Sequence, residues 1–157
     1  MKNNKINIAL IGSGRAGMIH ARNFRGSVQN AKIIAVCDPI EETAKAAAQE
    51  LEIDKYYTDY KDVMADETVD AVIVATPTKY HCEIAIAAAA AHKHILCEKP
   101  MAMTVEECNR MDEAAKKNGV ILQLAFMRRF DASFIAAKKM IDAGEIGDVV
   151  MVRSNTR

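Results

Sequence analysis

Residues 7–18 read NIALIGSGRAGM, an apolar run that leads into a glycine-spaced turn and then into a helical pattern. Glycine has a separate use at each position. Gly12 permits a tight exit from a strand, Gly14 lets a pyrophosphate approach the backbone, and Gly17 lets the next helix pack closely on the strand. A helix that begins here offers free N–H groups and a partial positive charge to phosphate. This stretch predicts a dinucleotide-binding turn made of Gly12, Ser13, Gly14, Arg15, Ala16 and Gly17.

A second apolar run, residues 32–37, ends at Asp38. Its distance from the glycine turn is that expected of an acid that binds a ribose. A carboxylate there can accept hydrogen bonds from both ribose hydroxyls, and it repels a 2′-phosphate. Glu41 and Glu42 add negative charge nearby. These residues predict NAD as the cofactor, with NADP disfavoured. A second role for Asp38, as N-cap of the following helix, is compatible with the first.

Composition limits the classes of partner. The 157 residues fit one domain, and 21 basic residues balance 21 acidic ones, which argues against nucleic acid or an anionic membrane as partner. No apolar stretch has the length of a membrane span, and no signal peptide is predicted. The cysteines lack metal-site spacing, so we predict no metal. We interpret them as reduced, buried thiols of a cytoplasmic protein, namely Cys37, Cys82, Cys97 and Cys108.

Apolar runs of strand length alternate with helical patterns along the chain. This alternation predicts an α/β fold, a Rossmann-type doubly wound parallel sheet flanked by helices. Residues 60–66 are predicted to be a polar connection, and the last apolar run is predicted to be a strand. The predicted strands are 5–11, 32–37, 55–58, 69–75, 94–97, 120–126 and 149–152, and the predicted helices are 16–25, 41–51, 80–92, 104–118 and 131–144.

The three prolines each follow a predicted strand end, behind Asp38, Thr76 and Lys99. Proline also stops strands where nothing binds, so this spacing is not by itself a site. In open α/β sheets, however, ligands bind beyond the carboxyl ends of the strands. We therefore expect one site that joins the glycine turn to Asp38, Thr76, Glu98, Lys99, Arg128 and Arg129.

The tripeptide Glu98-Lys99-Pro100, with Thr76-Pro77 and His81 upstream, resembles the Gfo/Idh/MocA oxidoreductases. Residues 126–131, FMRRFD, and 141–147, IDAGEIG, resemble the myo-inositol 2-dehydrogenase branch of that family. The resemblance covers the whole chain. It implies strand order 3-2-1-4-5-6 and NAD-linked hydride transfer at a ring hydroxyl of inositol or a related sugar.

The resemblance also implies roles for single residues. Lys99 would be the catalytic lysine and would contact the substrate, Arg129 would reach toward the substrate, and a cis bond would precede Pro100. A lysine suits the chemistry, since it can donate to the oxygen that develops negative charge. The alternative is a solvated surface lysine. The resemblance implies that Glu98 contacts the nicotinamide half of the cofactor and that Lys99 lies near the nicotinamide. Thr76 and Pro77 are further predicted cofactor-binding residues.

The sequence predicts two kinds of role for the four histidines. His81 either lies near the nicotinamide ribose or caps the helix beside it, whereas His20, His92 and His94 are predicted to be surface or packing residues. Thr78 departs from the family, where many members carry Asn, and this leaves one local cofactor contact open.

Members of the family carry a second domain. The resemblance therefore implies that residues 1–147 are the NAD-binding Rossmann domain and that 148–157 begin a C-terminal substrate and oligomerisation domain. An apolar edge strand at 149–152 predicts either pairing with the same strand of a second copy or disorder past about Gly147. Low activity is expected of this chain alone. The alternatives are a non-catalytic NAD-binding or regulatory module and an S-adenosylmethionine methyltransferase, against which Glu98-Lys99-Pro100 argues.

Overall fold

The structure is a computed structural model that describes residues 5–155. Strands and helices alternate along this range, as the sequence predicts. The elements are β1 (Ile6–Ile11), α1 (Arg15–Ser27), β2 (Ala31–Cys37), α2 (Glu41–Glu50), β3 (Lys55–Tyr57), α3 (Tyr60–Ala65), β4 (Ala71–Val74), a 3-10 turn (Thr78–Tyr80), α4 (His81–Ala90), β5 (His94–Cys97), α5 (Val105–Asn118), β6 (Leu122–Leu124), a second 3-10 turn (Met127–Phe130) and α6 (Ala132–Asp142).

The six strands form one parallel sheet in the order β3-β2-β1-β4-β5-β6, which confirms the predicted fold class and strand order. The chain leaves β1 toward β2 on one side and later returns to β4 on the other. The strand order therefore reverses between β1 and β4, which is where doubly wound sheets bind ligands. Ile11 pairs with both Cys37 and Val74, so the loops after these strands begin at the same edge.

Helices cover both faces of the sheet. Side chains alternate along β1, so Ile8 and Leu10 belong to one apolar cluster while Ala9 and Ile11 belong to the other. The first cluster includes residues of α1 and α2, and the second includes residues of α3, α4 and α5. This central strand, buried on both faces, holds the glycine turn that follows it in a fixed place.

One predicted connection and two predicted strands of the first 126 residues differ from the structure. Residues 60–66 are not a connection, because Tyr60–Ala65 form α3, whose N-cap Asp59 accepts a hydrogen bond from the Lys61 N–H at 2.9 Å. The fourth and sixth strands are shorter than predicted, at Ala71–Val74 and Leu122–Leu124. An apolar run forms a strand only where a neighbouring strand completes its hydrogen bonds. The strand β5, which lies between β4 and β6, has only four residues that can do so.

A polar cluster lies at the amino edge of the sheet, around Asp66. One carboxylate oxygen of Asp66 accepts from the Thr68 N–H and hydroxyl, and the other accepts from Lys55 Nζ and the Tyr57 hydroxyl. Burial raises the pKa of Asp66, but these four hydrogen bonds outweigh burial and hold that pKa well below its usual range. The buried Lys93 ammonium donates to the Asp66 carbonyl oxygen at 2.8 Å.

The chain divides into two compact units, Met1–Ala125 and Phe126–Arg157. In the second unit, Asp131 is the N-cap of α6 and accepts from the Ser133 N–H at 3.0 Å, so this helix begins where the sequence predicts it. Residues 149–152 are not a strand, which corrects the prediction. They are largely exposed, Val150 at 95%, and no other strand lies in the described part of this unit to pair with them. The boundary at residue 147 and the oligomer remain predictions.

Within residues 5–155, none of the helices combines the length and the apolar character needed to cross a bilayer.

Candidate functional site

The glycine turn between β1 and α1 shows why each glycine is needed. Gly12 has φ +92°, and a Cβ there would lie 2.7 Å from the Ala75 carbonyl carbon. A Cβ on Gly17 would lie 2.0 Å from the Gly12 carbonyl oxygen, so only glycine lets α1 sit on the turn. A Cβ on Gly14, in contrast, would meet no described atom within 4 Å. Gly12 and Gly17 therefore serve packing, while the open side of Gly14 can admit a ligand.

The first turn of α1 follows directly from this loop. Gly14 is the N-cap and has no side chain with which to cap the helix, and Arg15 and Ala16 behind it are exposed. The amino end of a helix leaves its first N–H groups without partners inside the helix. These groups and the helix dipole make this end of the thirteen-residue α1 suited to a phosphate.

Asp38 ties the end of β2 to the glycine turn. Its Oδ2 accepts from both the Ser13 N–H and the Ser13 hydroxyl, each at 3.0 Å, and its Oδ1 accepts from the Ile40 N–H at 3.1 Å. A carboxylate has about four acceptor positions, so this arrangement leaves about one for a ribose hydroxyl. A second hydroxyl could bind only where the Ser13 hydroxyl gives way. Ile40, not Asp38, is the N-cap of α2.

A cavity of about 730 Å³ opens beside this turn. It is lined from the ends of β1, β2 and β4 and from α3 and α4, and its walls include Gly14, Asp38, Tyr60, Thr76 and Pro77. The Thr76 hydroxyl oxygen is buried and has no hydrogen-bond partner among the described residues. A dinucleotide fits these features, because the cavity joins an open glycine backbone, a ribose acceptor and an unsatisfied hydroxyl.

The Glu98-Lys99-Pro100 segment follows β5. The Lys99–Pro100 peptide bond is cis, as the resemblance implied, and both residues are exposed. Glu98 Oε1 lies 2.7 Å from His20 Nε2, and Glu98 Oε2 accepts the Lys99 N–H at 3.0 Å. Burial raises the pKa of Glu98, but the hydrogen bonds from His20 and from Lys99 outweigh it and hold that pKa below its ordinary value.

His20 contacts this segment through Glu98, although the sequence predicted a surface or packing role for it. It lies in the first part of α1, 78 residues from its partner Glu98. Its position one turn beyond the glycine motif was the only signal that the sequence carried.

His81 is 1% exposed and contacts two carbonyl oxygens. Its Nε2 lies 2.8 Å from the Thr76 carbonyl oxygen, and its Nδ1 lies 3.0 Å from that of Pro100. A neutral imidazole carries one N–H, so both contacts are hydrogen bonds only in the doubly protonated ring. Neither ring nitrogen is left for a ribose, and the residue stands at the start of α4 without serving as its side-chain cap.

Arg128 and Arg129 lie in the second unit, in the 3-10 turn before α6. Arg128 Nη1 donates to Asp131 Oδ2 at 3.3 Å, and the Arg129 N–H donates to the Phe126 carbonyl oxygen at 3.0 Å. The predicted contact of Arg129 with a substrate remains a prediction.

The four cysteines are free thiols. Three are buried as predicted, but Cys108 is partly exposed, which corrects the fourth. Burial, reinforced by neighbouring carboxylates and, at Cys97, by the Cys108 thiol, raises the pKa of Cys37 and of Cys97 to about 12. Across residues 5–155, no three His, Cys, Asp or Glu side chains come together as a metal site.

Comparison with known proteins agrees with this geometry. Residues 6–126 match the family described as the oxidoreductase family with an NAD-binding Rossmann fold, GFO_IDH_MocA. The chain belongs to the Gfo/Idh/MocA family. This membership favours a dehydrogenase origin over the methyltransferase alternative.

Relatives within the Gfo/Idh/MocA family include inositol dehydrogenases. The chain is 42% identical to the scyllo-inositol 2-dehydrogenase (NAD(+)) of Bacillus subtilis, a match over 98% of this chain and 45% of that protein. The crystal structure of scyllo-inositol dehydrogenase from Lactobacillus casei, with bound NAD(H) and scyllo-inositol, superposes with a TM-score of 0.87 at 33% identity, over 92% of this chain and 43% of that one.

A third similar structure is the WlbA dehydrogenase of Bordetella pertussis in complex with NADH and UDP-GlcNAcA. Its TM-score is 0.87 at 31% identity, and the match covers 94% of this chain and 42% of that one. The present chain thus spans less than half the length of the relatives that it matches.

Proposed function

We propose that this chain binds NAD and forms the cofactor-binding part of a dehydrogenase that moves a hydride between NAD and a ring hydroxyl of inositol or a related sugar. The observation that carries the proposal is the cavity that brings the open Gly14 backbone and the Asp38 carboxylate together. The named inositol dehydrogenases among the relatives support the choice of substrate class.

The cofactor choice follows from charge. The pyrophosphate would lie against residues 12–17, where α1 begins, and a ribose hydroxyl would donate to Asp38. A 2′-phosphate would approach the Asp38 carboxylate and the first turn of α2, which carries Glu41 and Glu42. NAD is therefore favoured over NADP.

At the nicotinamide half of the site, Lys99 is the residue proposed to take part in the reaction. Bound NAD would supply the hydride acceptor. Removing hydride from a carbinol carbon requires that the hydroxyl lose its proton and that the oxygen be stabilised as charge develops. Lys99, exposed just beyond β5, would donate to this oxygen, with Arg129 as a further substrate contact. Thr76, Pro77 and Glu98 would bound the nicotinamide half.

A non-catalytic NAD-binding module is the second candidate. One observation favours it, because the formed cavity is lined by Gly14, Asp38 and Thr76 but not by Glu98 or Lys99. Binding of NAD without oxidation of any polyol would support this module.

Calorimetric titration with NAD and NADP tests cofactor binding. We expect NAD to bind at least about tenfold more tightly than NADP, a difference of about 1.4 kcal/mol. Asp38→Asn should narrow the difference between the two affinities, while Asp112→Asn, at an exposed acid of α5 paired with Lys116, should leave it nearly unchanged. Equal affinities of the unaltered chain for the two cofactors would rule out the role given to Asp38.

Spectrophotometric assay of NADH formation from myo-inositol and scyllo-inositol tests the reaction. Turnover that Lys99→Met abolishes, with NAD affinity preserved, supports the dehydrogenase. Turnover that survives Lys99→Met contradicts the role of Lys99.

The remaining proposals concern the cellular location and the macromolecular partners of the protein. We propose a cytoplasmic location, which suits four free thiols, and no nucleic-acid partner, which suits a formal net charge of zero. Homo-oligomerisation is proposed on the apolar exposed segment 149–152, which sedimentation of the chain with and without residues 148–157 would test.

A further inference from the structure

Two histidines reach the Glu98-Lys99-Pro100 segment from different helices. His20 lies on α1, with Nε2 at 2.7 Å from Glu98 Oε1. His81 begins α4, with Nδ1 at 3.0 Å from the Pro100 carbonyl oxygen. The residues on both sides of Lys99 are therefore each in contact with a histidine, and neither contact is used by the function proposed above.

The Glu98 carboxylate connects His20 to Lys99. Its Oε1 faces the imidazole, and its Oε2 accepts the Lys99 N–H at 3.0 Å. The Glu98 N–H in turn donates to the Val74 carbonyl oxygen at 2.9 Å, so the backbone of Glu98 is anchored to the end of β4. The side chains of His20 and Glu98 are 22% and 17% exposed, which limits competition from water for this contact. Hydrogen bonds to a charged acceptor are about twice as strong as neutral ones.

His81 connects two strand ends. Its second nitrogen contacts the Thr76 carbonyl oxygen at 2.8 Å, so one buried ring joins the loop after β4 to the loop after β5. A neutral ring donates a hydrogen bond to only one of these two carbonyl oxygens, and a ring with hydrogen on both nitrogens donates to both.

We propose that His20 is a positioning residue for Lys99, because it orients the Glu98 carboxylate that accepts the Lys99 N–H. The inference rests on the proposed function, in which Lys99 contacts the reacting oxygen. The inference also gives α1 two roles, because the helix whose first turn would face the phosphates carries His20 one turn later. A displacement of about 1 Å at a reacting group can reduce a rate about a hundredfold, so this positioning matters for catalysis.

Amide hydrogen exchange of Lys99, followed by NMR, tests the inference without requiring activity. In His20→Leu, which has no donor for Glu98, we expect exchange at Lys99 to rise about tenfold, with exchange in the interior of β5 unchanged. His20→Gln, whose amide can donate to Glu98, should restore most of the protection. His92→Asn is the matched control, because His92 is exposed at the opposite edge of the sheet and its φ of +56° suits asparagine.

The NAD titration separates this inference from the proposed function. Loss of protection confined to Lys99 in His20→Leu, with rescue by His20→Gln, supports the positioning role even where NAD fails to bind, and that failure then counts against the proposed function alone. Unchanged exchange at Lys99 in His20→Leu overturns the inference, even where NAD binds. A uniform rise along α1 and β5 also overturns it, since that is what a purely structural histidine would cause. In a chain that turns over a polyol, His20→Leu should lower kcat and leave KM for NAD within about twofold.

Discussion

Replacing Gly17 by alanine should destabilise the protein, although alanine is the better helix former. The new Cβ would lie 2.0 Å from the Gly12 carbonyl oxygen and would have to recede by about 1 Å to reach even a 3.0 Å contact. The oxygen cannot move away freely, because the Gly12 N–H donates to the Cys37 carbonyl oxygen at 2.8 Å. Overpacking costs about 3 kcal/mol at the upper end of its usual range, and a backbone neighbour places this site at that end.

Helix propensity offsets about 1 kcal/mol of this cost, which leaves a net loss of about 2 kcal/mol. For a chain of this size, that loss lowers Tm by about 4–8 °C. Gly26→Ala is the matched control, since Gly26 lies in the same helix and a Cβ there would meet no described atom within 4 Å. It should raise Tm by about 1–4 °C. Circular dichroism melting of both variants measures the difference, and a Gly17→Ala protein as stable as Gly26→Ala would refute the reasoning.

Three further predictions follow from the site and the core. Gly14→Ala should leave Tm within about 2 °C and weaken NAD binding at least about tenfold, because its Cβ fills the side left open for the pyrophosphate; unchanged affinity in calorimetry would contradict this. Asp66→Asn should lower the free energy of unfolding by about 2–3 kcal/mol at neutral pH. In urea titrations, this difference from the unaltered chain should shrink as pH falls below about 4, because a carboxyl whose pKa is lowered by folding loses its stabilising contribution as it is protonated. A thiol reagent at mildly alkaline pH should label Cys108 first, while Cys37 and Cys97, with pKa values of about 12, should react only on unfolding; mass spectrometry that finds equal labelling would oppose this.

Several features could be predicted from sequence because their physical requirement lies within a few residues. The tight turn at Gly12 needs a positive φ, and the residue has φ +92°. Thr104 opens α5 by accepting the Glu107 N–H at 3.2 Å, and Gly119 ends that helix with φ +67°. Apolar runs that alternate with helical patterns were enough to predict a parallel sheet, since helices between parallel strands cover both faces of the central strands.

Other features were decided by the tertiary structure. The helix α3 was missed because six residues are too few to show a helical period, and it is the burial of Val63 that holds it in place. Residues 149–152 have the composition of a strand, yet a strand forms only where another chain segment completes its hydrogen bonds.

The site itself shows the same division. The sequence by itself determined the chemical groups along the binding edge, because glycine, aspartate and lysine carry their chemistry wherever they lie. Which groups meet was decided only by folding. Ser13 contacts Asp38 across 25 residues and His20 contacts Glu98 across 78, since β1, β2 and β5 end at one edge of the sheet. No local pattern encodes such a contact, because its geometry depends on the packing of every element between the two residues.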